Sequence, residues 1–75
     1  MSDLRVIETC WRIAAAKNVF VTCAIYRDNL PGFVVQAGVR PDAFVDTARA
    51  PDIVAARVVA EQWRQVWLTK GFAES

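Results

Sequence analysis

The spacing of apolar residues changes once along this chain. As far as Arg40 they come in short runs rich in β-branched and aromatic residues; from Ile53 onward they recur every three or four positions. Residues 19–27 and 33–40 therefore read as two strands, and Asp28-Asn29-Leu30-Pro31-Gly32 between them reads as the five-residue loop of a hairpin. Residues 51–70 read as a helix. Pro51 suits the first helical position, Asp52 complements the positive end, Lys70 complements the negative end, and Gly71 can terminate it. On a helical wheel Ile53, Ala55, Ala56, Val59, Ala60, Trp63, Val66 and Trp67 share one broad face, with Arg57, Glu61 and Arg64 opposite and expected in solvent.

Residues 6–14 fit two patterns. Leu4, Ile7, Trp11 and Ala14 form a helical stripe that Ser2 could cap, whereas Val6, Ile7, Thr9, Cys10, Trp11 and Ile13 are mostly strand formers. The strand is the reading adopted, closed by a three-residue turn, Ala16-Lys17-Asn18, with Asn18 at positive φ. A short fourth strand is expected over Phe44 to Ala48, after a turn at Pro41-Asp42. The fold class is α+β: a three- or four-stranded antiparallel sheet with one C-terminal helix on one face. It forms a single domain over 1–75, with the sheet at about 6–48, the helix at 51–70 and short disordered ends.

Turn lengths set the register, and a slip of one residue exchanges the two faces of a strand. The three-residue turn pairs Ile13 with Val21, Trp11 with Cys23 and Thr9 with Ile25; the loop pairs Ile25 with Val35, Cys23 with Ala37 and Val21 with Val39. The helix is expected on the face carrying these residues and Phe33, with Trp63 seated over the small pair Cys23 and Ala37. The other face then shows four rows. They are Glu8, Tyr26 and Val34; Cys10, Ala24 and Gln36; Arg12, Thr22 and Gly38; Ala14, Phe20 and Arg40. This register puts Cys10 and Cys23 on opposite faces, so no disulfide is expected, in keeping with a reducing compartment.

Composition narrows the function classes. Hydrophobic residues make up 55% of the chain and the net charge is +1, which suits a folded soluble domain and removes the strongest electrostatic argument for a nucleic-acid or anionic-membrane partner. For a domain of 75 residues, burial and chain entropy nearly cancel, so a partner subunit is the readiest source of extra stability. The longest apolar run, residues 19–26, is far short of the roughly 20 residues that cross a bilayer. The start, Met-Ser-Asp-Leu-Arg, lacks the layout of a signal peptide, and cytoplasmic residence is the expectation.

Candidate chemistry is sparse. The chain has no His and only two Cys, so no zinc site is expected, and Gly32, Gly38 and Gly71 are too scattered for a phosphate-binding loop. Asp42 reads as a turn former and Asp46 as a solvated strand residue rather than as an acid and base pair. Trp63 and Trp67 read as core rather than as a clamp. Cys10 reads as a small strand residue, although Arg12 beside it would favour a thiolate. No catalysis and no cofactor are expected.

The informative surface is the face away from the helix, because one helix cannot cover both sides of a sheet. Arg12, Phe20, Tyr26, Val34, Gln36 and Arg40 are its candidate interaction residues. Two uses compete. In the first, two copies or a protein partner meet there, with Phe20, Tyr26 and Val34 at the centre and arginines at the rim. In the second, Phe20 and Tyr26 stack on single-stranded nucleic acid while Arg12, Arg27 and Arg40 meet phosphates.

Two resemblances add to this. The order of strands followed by a long helix, with Glu61-Gln62-Trp63 inside it, resembles the whirly and transcriptional-coactivator class of single-stranded DNA-binding domains, which implies the second use. Over most of the chain, Trp11-Arg12, Thr22-Cys23 and Ala60-Glu61-Gln62-Trp63-Arg64 resemble short uncharacterised bacterial proteins. That likeness implies a strand at residues 6–14 and carries no function.

Overall fold

A computed structural model describes residues 5–40 and 43–74, and the side chains of all of these except Arg40, Ala43 and Phe44. Strands β1 (Arg5–Ala16), β2 (Val19–Arg27), β3 (Phe33–Arg40) and β4 (Ala43–Ala50) precede helix α1 (Ile53–Thr69), and a two-residue strand β5 (Ala73–Glu74) follows it. They form one antiparallel sheet in the order β4-β3-β2-β1-β5, with α1 packed on one face. The fold is therefore α+β, with five strands where three or four were expected. The fifth is the tail after α1, which pairs Ala73 with Ala14 and Glu74 with Ile13. The Pro41-Asp42 turn and the chain ends lie outside the described residues.

Segment 5–16 is a strand, and it carries three irregularities, at Ile7, Cys10 and Ala15. The first hairpin turns on two residues, Lys17 and Asn18, rather than three, and Asn18 has φ 60° as the turn requires. The extra residue at Ala15 restores the expected pairing of Ile13 with Val21 and Trp11 with Cys23. The loop at 28–32 is as expected, and Ile25 pairs with Val35 and Cys23 with Ala37. Gly32 is required there: its φ is 88°, and a Cβ on it would sit 2.6 Å from the Ala50 carbonyl oxygen.

Helix α1 begins two residues later than its sequence signals suggest. Asp52 is the N-cap, its carboxylate accepting from the Ala55 amide at 2.8 Å, so Pro51 stands before the cap and not at the first helical position. At the other end Gly71, at φ 98°, closes the helix by donating its amide to the Leu68 carbonyl at 3.0 Å. The residues that reach deepest are Ala56 and Ala60, not Trp63. Trp63 and Trp67 are half-buried at the margin of a core built from Trp11, Ile13, Val21, Cys23, Ile25, Val35 and Ala37. Two small residues let the helix backbone come close enough for the Trp11 indole Nε1–H to donate to the Ala60 carbonyl at 2.7 Å.

Of the charged helix residues, Arg57 and Glu61 are exposed as expected and Arg64 is half-buried, and together they form a flank of the helix. Arg57 pairs with Glu8 on β1 and Arg64 with Glu74 on β5. The outer arc is apolar instead, and Val54, Val58 and Val66 are more than half exposed, Val66 against the expectation that it packs on the sheet.

Candidate open-face site

Whether a β1 side chain points toward α1 or away from it is decided by the bulges, because each extra residue reverses the faces beyond it. Counting from Trp11 toward the N-terminus, the bulge at Cys10 leaves Thr9 paired with Ala24 and Glu8 with Ile25, and the bulge at Ile7 leaves Val6 paired with Tyr26. Glu8 thus turns to the helix side, where Arg57 donates to it at 2.8 and 3.1 Å. That hydrogen bonding holds the Glu8 carboxyl below its usual range. Thr9 and Val6 take the places on the open face that Cys10 and Glu8 hold in a strand without bulges.

The open face therefore carries Val6, Tyr26, Val34 and Arg49 in one row, Thr9, Ala24, Gln36 and Thr47 in the next, then Arg12, Thr22 and Gly38, and at the end Ala14 and Phe20. Its middle is concave. A depression of about 240 Å³ is lined by Val6, Thr9, Thr22, Ala24, Tyr26, Gln36, Gly38 and Val39. Val39 is half exposed on this rim instead of facing α1, because the register of β3 against β4 shifts on both sides of Gly38. Three hydroxyls and one carboxamide supply the polarity of the lining, and Ala24 and Gly38 leave the space.

Gln36 is the unusual member. It is 9% exposed, and its Oε1 is enclosed with no hydrogen-bond partner among the described residues. An oxygen in that position costs about 1–3 kcal/mol relative to a paired one.

The expected candidates divide between the two ends of this face. Tyr26 and Gln36 line the depression, and Val34, paired with Tyr26, is already buried within the single chain. Arg12 and Phe20 meet at the other end, where the Arg12 guanidinium lies 4.7 Å over the Phe20 ring, so one face of that ring is already occupied. The Arg40 side chain lies outside the described residues. Val6, Thr9 and Val39 belong to the site and were missed. The high strand propensity of Val6 and Thr9 is visible in the sequence, but the bulges that aim them are not.

The same bulge moves Cys10 to the helix side. It packs against the core cluster that includes Cys23, and both cysteines are free. This overturns the placement of the two cysteines on opposite faces, and it moves Cys10 from the open face to the neighbourhood of Glu8 and Arg57. Burial pushes the Cys23 thiol up to about 12, and burial followed by the charge of Glu8 raises Cys10.

Among the described residues no group of His, Cys, Asp and Glu side chains is placed to hold a metal ion, and no helix is long and apolar enough to cross a membrane. No family model matches the chain, and no curated protein or solved structure matches it significantly.

Proposed function

We propose that this chain is a small interaction or assembly module that self-associates through the open face of its sheet. The observation that carries this reading is the unpartnered Gln36 oxygen beside the open-face depression. A primary carboxamide is both donor and acceptor, so two of them related by a two-fold axis satisfy each other, provided each turns about its last torsion to meet the other. Exposed Val6 and Val39 stand at the rim to be covered at the same time.

Size supports the same reading. The two longer dimensions of the molecule are 35 and 24 Å, and a face of that span covers on the order of 800 Å², the area a standard interface buries on each partner. Two free cysteines suit a reducing compartment and so a cytoplasmic setting.

The test is sedimentation velocity across a concentration series, repeated with a mixed-sequence single-stranded oligonucleotide at low and high salt. A dimer indifferent to the oligonucleotide, converted to monomer by Tyr26→Ser or Val6→Glu without loss of the fold, is the expected result. A monomer at every concentration overturns it. If that monomer also binds the oligonucleotide and releases it as salt rises, the face belongs to nucleic acid, with Phe20 and Tyr26 stacking and Arg12 meeting phosphate.

A further inference from the structure

In a two-against-one bulge, both residues of the bulged strand sit opposite the same residue of its neighbour. Trp11 pairs with Cys23, and Cys10 is the extra residue beside it, so Cys10 and Trp11 together face Cys23. Three further observations bear on the chemistry of this arrangement. Cys10 packs against the core cluster that contains Cys23, and both cysteines are free. Cys10 is partly exposed while Cys23 is completely buried, so of the two residues only Cys10 presents surface to a solute. Trp11 ties the same bulge to the helix through its bond to the Ala60 carbonyl.

We infer that Cys10 and Cys23 form a redox site, a dithiol that a hydroperoxide converts to a disulfide between β1 and β2. Cys10, as thiolate, attacks one oxygen of the peroxide; the O–O bond breaks, and the products are a sulfenic acid on Cys10 and hydroxide, which leaves as water. Cys23 then gives up its proton and attacks the Cys10 sulfur. The S–S bond forms, the S–O bond breaks, and the departing hydroxide takes the proton as a second water. Two electrons pass from the sulfurs to the peroxide, and a small dithiol reverses the change.

The order of events follows from access: Cys23 reacts only through Cys10. Glu8, Asp46 and Arg57 are the charged groups around the pair, from β1, β4 and α1. Because burial and then the charge of Glu8 disfavour the Cys10 thiolate, the reaction is slow at neutral pH, and its rate rises about tenfold per pH unit until Cys10 titrates. Because Trp11 shares the bulge, the bridge alters the indole that holds α1, which makes tryptophan emission a reporter of the thiol state.

The experiment treats the reduced full chain with hydrogen peroxide, quenches it with acid, and maps it with trypsin without reduction. The expected product is a monomer about 2 Da lighter, the loss of two hydrogens. Peptides 6–12 and 18–27 should be recovered joined, the tryptophan emission should change in step, and both changes should reverse with dithiothreitol. In Cys10→Ser the same treatment leaves Cys23 a free thiol. The inference is overturned by oxidation that stops at a sulfinic acid on Cys10, by bridges between molecules alone, by no change in mass, or by a Cys23 that oxidises equally fast in Cys10→Ser. None of these readouts depends on the oligomeric state proposed for the open face.

Discussion

The Trp11 indole nitrogen donates to the Ala60 carbonyl at 2.7 Å, joining the most irregular strand to the middle of the helix across 49 positions of sequence. Trp11 is almost fully buried, and Ala60 is one of the two buried residues of the helix. Trp11→Phe keeps most of the apolar volume and removes the donor, so it should cost about 1–2 kcal/mol in urea denaturation. Ala60→Leu, which pushes the helix away, should cost about 1–3 kcal/mol. If Ala60→Leu leaves the midpoint unchanged, the close approach of helix and sheet is wrong.

Position decides what each tryptophan is worth. Trp11 is buried in the centre of the core and Trp63 is half-buried at its margin. Trp11→Ala should therefore cost about 3–5 kcal/mol, and Trp63→Ala clearly less. Equal losses in paired denaturation curves would place Trp63 over Cys23 and Ala37 after all.

At Gln36 stability and assembly should part. Gln36→Leu removes an enclosed oxygen that has no partner among the described residues, so the isolated fold should keep its stability or gain up to about 2 kcal/mol. The dimer should weaken, since leucine cannot form the reciprocal amide pair. Tighter association of the variant in sedimentation would show that apolar contact alone drives the interface.

Gly32→Ala should be destabilising on two grounds, the left-handed φ of 88° and the Ala50 carbonyl oxygen 2.6 Å from the added carbon. The loss should be about 1–3 kcal/mol, seen as a lower thermal midpoint with the spectrum of the folded state retained. A midpoint equal to that of the parent would mean that the hairpin loop adjusts freely.

Acid should act through the carboxyls that folding lowers, among them the partly buried Glu8 and Asp28. Hydrogen bonds from Arg57 to Glu8 and from Arg49 to Asp28, with the Leu30 amide also bonding Asp28, hold both groups below their ordinary values of 4.5 and 3.8. A carboxyl lowered by folding contributes stability that is fully present above its unfolded value and is lost as pH falls through the folded one. The denaturation midpoint should therefore be flat from pH 7 to about 5 and decline below about 4.5. Arg57→Ala should remove the share due to Glu8. An acid limb identical in that variant would show that the pair contributes nothing.

What the sequence determined by itself was local. The strand formers of 19–27 and 33–40 around Asp28 to Gly32, Asn18 at positive φ, and the span from Asp52 to Gly71 each carry their signal within a few neighbouring residues, and the structure follows them closely. Tyr26 and Gln36 were placed on the open face for the same reason, since a strand alternates strictly as long as its ladder is regular.

Only the tertiary structure decided where that alternation breaks. The bulge at Cys10 lets Glu8 reach Arg57, a partner 49 residues away, the bulge at Ile7 sets Val6 beside Tyr26, and no local pattern announces either. One consequence is that Val6 and Thr9 line the depression; another is that Cys10 meets Cys23. Strand β5 exists because Gly71 turns the chain back beside β1, where Glu74 pairs with Arg64. The depth of the alanines against the tryptophans was settled the same way: the wheel gives the face, but how close two elements come depends on the smallest side chains at their crossing, and that is known only once the elements have met.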